Sequence, residues 1–188
     1  VMQAAARSHR PLSFWDLAFP GPDRPRLEYI AELAVSDARS FTHYSGFLVA
    51  ETDGRPVAGL SAYDSTHKNM DAFLTSIAAL TAAHGWSPEH QSLLFSRMAP
   101  AGTCMPDSPP GVWVIEWVAA TPAARGKGVA NALLLAILDR GREAGLGDAL
   151  VLVHPPVARR ALGAFLVLEV AALELHLAHG RPLDPGAD

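Results

Sequence analysis

The chain has 188 residues, 49% of them hydrophobic and 18% charged, with a formal net charge of -4. That length and balance suit one globular domain with a sizeable core and exclude a disordered chain. The slight acidity excludes a basic nucleic-acid-binding face.

Cys104 is the only cysteine, so no intramolecular disulfide forms, and a reducing cytoplasm is the expected location. With no base beside it in sequence, Cys104 is expected to be a bystander in a Pro-rich loop rather than a nucleophile. No apolar run reaches the ~18 residues of a membrane span, and the opening residues carry no signal pattern.

In chain order, residues 1–9 read as a short helix, and Pro11, Pro20, Gly21, Pro22 and Pro25 mark a loop. Leu27, Ile30, Ala31, Ala34 and Val35 predict an amphipathic helix over about 25–38. The run 47–51 predicts a strand, Asp53-Gly54 a tight turn and 56–63 the return strand of a hairpin. Helices are predicted over 68–83 and 88–97, the second with Ser87 as cap and Pro88 in its first position. A Pro/Gly loop is expected over 99–111.

Val112 to Ala119, β-branched and aromatic, predicts a strand, and about 127–144 a helix ending near Gly145 and Gly147. Ala149 to Val153 reads as a buried strand, and Pro155-Pro156 as the start of a short helix through Leu162. Phe165 to Val170 and Leu173 to Leu177 follow as one strand or two, with a helix as the alternative. The hairpin argues against an all-parallel sheet, so the expected fold is α/β with a mixed, mostly antiparallel sheet flanked by helices.

The stretch 121–130, Thr-Pro-Ala-Ala-Arg-Gly-Lys-Gly-Val-Ala, joins that strand to that helix. A strand that turns through glycines into a helix presents free N–H groups and the positive end of the helix dipole, which suits phosphate. Gly126 and Gly128 admit close backbone approach, Ala130 is small, and Arg125 and Lys127 add positive charge. An ordinary turn using glycine for geometry is the plain alternative. A Walker loop is excluded because Gly128, not Ser or Thr, follows Lys127. The dinucleotide fingerprint fails at Asn131, where its third glycine belongs.

The pattern Arg125-x-x-Gly128-x-Ala130, between a strand and a helix, resembles the acyl-CoA-binding signature of the GNAT-type N-acetyltransferase superfamily. The resemblance covers roughly residues 27–177. It implies one GNAT-like domain over 1–188, a helical insert at about 64–111 between the third and fourth strands, and a first strand that is missing. It implies acetyl-CoA as co-substrate, no metal, and an amine of a small molecule or peptide as acceptor. No nucleic acid and no membrane enter the reaction. Cofactor contacts would fall on Val118, Ala119 and Ala120, whose backbone would pair with the pantetheine arm, and on Arg125, Gly126, Lys127, Gly128, Val129 and Ala130. An amide near Val118 would stabilise the oxyanion.

Glu116 is the candidate general base. Strict alternation places it with Val114 and Val118 on one face, and Trp113, Ile115 and Trp117 on the other. A carboxylate in so apolar a strand is costly without a role or a partner, and burial raises its pKa. The alternatives are a glutamate paired with an arginine, or one facing solvent. The family's tyrosine acid has no counterpart in segment 155–163, since Tyr29, Tyr44 and Tyr63 are the only tyrosines; His154 could stand in. An acyl-CoA-binding module with little transfer activity is the second reading. Leu173, Leu175 and Leu177 would suit pairing across a homodimer.

Overall fold

The computed structural model describes residues 1–7, 12–102, 108–153 and 171–176. Five strands form one sheet in the order β1-β2-β3-β4-β5: β1 (Phe47–Thr52), β2 (Arg55–Asp64), β3 (Trp113–Ala120), β4 (Asp148–Val153) and β5 (Ala171–His176). All neighbours pair antiparallel except β3 and β4, which are parallel. Asp53 (φ 51°) and Gly54 (φ 70°) both take the left-handed conformation that the two-residue turn between β1 and β2 requires.

The parallel pairing is short. Trp113, Val114 and Ile115 sit opposite Ala149, Leu150 and Val151, and there the ladder stops. β3 runs on to Ala120 paired only with β2, while Leu152 and Val153 of β4 pair only with β5. The sheet therefore divides in its middle beyond Ile115.

Helices cover both faces. On one, α6 (Val129–Glu143) packs Leu133, Ile137 and Leu138 onto Leu60, Ala62, Trp113 and Ile115. The approach is close enough that a Cβ on Gly141 would lie 2.7 Å from Trp113 Cδ1, and the Trp113 indole donates to the Ile137 carbonyl at 2.9 Å. The other face carries α1 (Met2–Ala6), α2 (Phe14–Ala18), α3 (Asp23–Ala34), α4 (Met70–Ala83) and α5 (Pro88–Gly102), around Trp15, Phe41, Tyr63, Phe73 and Val114. α1 lies against β3.

Three details differ from the sequence reading. Helix α3 ends at Ala34 and not near 38, leaving Val35 65% exposed and outside the apolar stripe. Helix α5 continues through Pro100 to Gly102, where a loop was expected. Helix α2 falls inside the expected Pro-rich loop: the Ser13 hydroxyl caps the Asp16 amide while the Asp16 carboxylate takes the Ser13 amide at 2.7 Å. Asp16 is held further by Arg7 and by Arg26 at 3.0 Å, which keeps its carboxyl well below the usual range.

Candidate active site

Glu116 lies opposite Ser61 in the β2–β3 ladder, on the face that α1 to α5 cover. It is 6% exposed, and its Oε1 has no hydrogen-bond partner among the described residues. It is neither paired with an arginine nor turned to solvent. Burial pushes its pKa up to about 8; the Trp117 indole pulls weakly the other way without reaching hydrogen-bond geometry. Its charge in turn helps hold the phenol of buried Tyr63 above the usual range, behind the larger effect of burial.

Strict alternation fails one residue later. Trp117 adopts φ 54° and the β2–β3 register shifts between Gly59 and Ser61, so β3 bulges. Trp117 therefore packs on the same side as Val114, its ring 5.8 Å from Trp15, and Val118 joins the α6 side with Ala120. The expected split, with Val118 beside Glu116 and Trp117 opposite, is corrected by this single bulged residue.

Four buried polar side-chain atoms lack a hydrogen-bond partner among the described residues, and three belong to this cluster: Glu116 Oε1, Trp117 Nε1 and Trp15 Nε1. Each such group costs roughly 1–3 kcal/mol. Sequence reasoning missed the part of Trp15 and Trp117. The signal for Trp15 was its position just inside the Ser13–Asp16 capping box, which fixes where that indole enters the core.

After Ala120 the chain makes a single 3-10 turn over Pro122–Ala124 and enters α6. Gly126 (φ 72°) and Gly128 (φ 77°) are both left-handed, and Gly128 is the N-cap of α6 with no side chain bonded over it. The amides of Val129, Ala130 and Asn131 occupy the first helical turn, with no carbonyl behind them. The Arg125 and Lys127 amides turn inward to Pro122 and Ala124 at 3.3 and 3.4 Å. The Arg125 side chain bonds the Ala120 carbonyl at 3.3 Å, and the Lys127 side chain is exposed. Val118, Ala119 and Ala120 lie on the stretch of β3 that β4 does not cover. A divided sheet thus leads directly to a helix N-terminus with free amides and two cations. Cys104, His154 and segment 155–165 lie outside the described residues.

The sequence model described as the acetyltransferase (GNAT) family matches residues 12–166. The chain belongs to the GNAT acetyltransferase family. As a member it is an acyltransferase with acetyl-CoA as co-substrate, which disfavours a module that only binds acyl-CoA. No curated protein sequence is significantly similar to it. Solved structures share the fold. SsHAT is 17% identical, with 95% of this chain and 91% of that one covered and a TM-score of 0.56. An N-acetyltransferase from Staphylococcus aureus Mu50 is 19% identical over 79% and 74% of the two chains, with a TM-score of 0.53. A further acetyltransferase is 14% identical over 87% and 85%, with a TM-score of 0.52. The mixed sheet with flanking helices is the fold these proteins have in common.

Proposed function

We propose that the enzyme transfers the acetyl group to a primary or secondary amine of a small molecule or peptide, with Glu116 as the general base. The observation that carries this reading is the buried carboxylate of Glu116, its Oε1 without a hydrogen-bond partner among the described residues, one residue past the last β3–β4 pair.

The amine nitrogen attacks the thioester carbonyl, a C–N bond forms, and the C–S bond breaks to release CoA thiolate. The nitrogen's proton passes to Glu116, directly or through water. The backbone of Val118, Ala119 and Ala120 pairs with the pantetheine arm, and an amide near Val118 faces the developing oxyanion. Gly126, Gly128, Val129 and Ala130 hold the pyrophosphate through main-chain N–H groups, while Arg125 and Lys127 neutralise it. The whole chain acts as one domain in the cytoplasm. β5, with Leu173 and Leu175, is last in the strand order among the described residues, which supports its pairing with a second copy in a homodimer.

Calorimetry with acetyl-CoA tests the cofactor half of the reading. Saturable heat is expected from the wild type and none from Gly128→Glu, whose side chain would fill the turn from a backbone angle that favours glycine. Absence of heat from the wild type overturns it. Release of free CoA across a panel of primary and secondary amines tests the acceptor half, with a fall of about a hundredfold or more in Glu116→Gln. If acetyl-CoA binds and no amine releases CoA, the acceptor is not an amine.

A further inference from the structure

A second cluster lies at the opposite end of α6 from the glycine turn. Its centre is Ser45, in a 3-10 turn over Tyr44–Gly46 that leads into β1. Lys68 Nζ donates to Ser45 Oγ at 2.9 Å, and Ser45 Oγ lies 2.8 Å from His43 Nδ1, which also accepts from the Ser45 amide at 3.2 Å. Arg140 Nη2 reaches the Ser45 carbonyl at 3.4 Å. Gly46 is what admits the lysine: a Cβ there would meet the Ala62 carbonyl oxygen at 2.9 Å and Lys68 Nζ at 3.3 Å. Arg140 stands eleven residues beyond Val129, so roughly 16 Å of helix separate this corner from the turn at Gly128.

The chemistry of the corner is one-sided. With its Nδ1 taking the Ser45 amide and hydroxyl, His43 carries its proton on Nε2. Among the described residues Lys68 keeps two N–H groups unused and Arg140 most of its guanidinium donors, and Tyr44, 63% exposed with its ring 4.4 Å from His43, adds a hydroxyl and a flat face. No carboxylate pairs with Lys68, Arg140 or Arg39 among the described residues. Asp139 is taken by Arg142 at 2.5 Å, Asp64 by the Thr66 amide at 2.8 Å, and Asp37 acts on His43. Lys68 is half-buried, and that burial first, then the charges of Arg140 and Arg39, hold its pKa below the ordinary value. Three cations drawn together, with Asp37 the one acidic group acting on the corner among the described residues, repel one another. Such an arrangement is repaid by an oxyanion with several acceptor atoms.

We propose that the corner formed by His43, Ser45, Lys68 and Arg140 is a phosphate-binding site separate from the acyl-CoA site. The phosphate is either free orthophosphate or the phosphomonoester of a nucleotide whose base rests on Tyr44. The site is independent of the acceptor and of the acid–base assignment at Glu116.

Titration calorimetry with orthophosphate and, separately, with adenosine monophosphate tests this. Saturable binding is expected for the wild type, weakened about tenfold or more by Lys68→Gln and severalfold by Arg140→Gln, with acetyl-CoA affinity unchanged in both. Equal affinities for the two ligands identify free phosphate. Tighter binding of the nucleotide, lost in Tyr44→Ala, identifies the phosphomonoester. Nucleotide binding that Lys68→Gln leaves intact belongs to the glycine turn and overturns the proposal, as does the lack of saturable binding by either ligand. Thermal melting of each variant confirms that it is folded.

Discussion

Glu116 is a carboxyl group whose pKa rises on folding, from an ordinary 4.5 to about 8. Below pH 4.5 it is protonated in both folded and unfolded chains and costs nothing. Between those values the unfolded chain ionises while the folded chain resists, so stability falls as pH rises, and above about 8 the full penalty is present. Glu116→Gln is therefore expected to raise the melting temperature at pH 8, by a free energy on the order of a few kcal/mol, and to leave it unchanged near pH 4. Calorimetric melts across pH check this. If Glu116 is the base, kcat/KM should climb through the same pH region, because the ionised form accepts the proton. The sequence made the burial of this residue legible, since Val114, Ile115 and Trp117 surround it with apolar groups. The bulge that brings Trp117 to the same side was not legible: nothing in Glu-Trp-Val-Ala-Ala distinguishes a regular strand from one with a left-handed residue, and the shift is imposed by pairing with β2.

Among the elements, α6 carries the glycine turn, the proposed cofactor site, at its start and is seated on the sheet by its far end. Gly141 rests against the Trp113 indole, and a methyl group there would lie 2.7 Å from Cδ1 and 2.9 Å from Cγ. Gly141→Ala is expected to lift the helix or turn the indole away from the Ile137 carbonyl. Its cost should be about 1–3 kcal/mol, with weakened acetyl-CoA binding although the substitution lies far from the turn; a melt and a calorimetric titration measure the two effects. Other elements were open to reading in proportion to how local their causes are. The β1–β2 hairpin follows from Asp53-Gly54, and the start of α6 from Gly128. Helix α2 was hidden because prolines and Gly21 flank it. Its Ser13–Asp16 box is a local signal, yet the helix has five residues and owes its place to Trp15 in the core and to Arg7 and Arg26 around Asp16.

At the scale of the whole molecule, the sheet is held as one piece by β1 to β3 on one side and β4 with β5 on the other, joined through three pairs of residues. No local pattern announced so short a junction, because strand partners are chosen across the fold. Acetyl-CoA that bridges the two parts is expected to stabilise the protein as mass action requires, by about 2.7 kcal/mol at a hundredfold excess over Kd. A thermal shift that grows with acetyl-CoA concentration, and that Gly128→Glu abolishes, checks this. The junction has a geometric consequence as well. Two strands paired at Ile115 and Val151 and unpaired beyond them leave, among the described residues, a wedge at the end where Ala120 meets the glycine turn. From Ala120 to Glu116 is four residues, roughly 13 Å of strand. With the donor's pyrophosphate at the glycine turn, as proposed above, this stretch would act as a ruler: the length of the donor's arm would decide which of its atoms comes to rest beside Glu116.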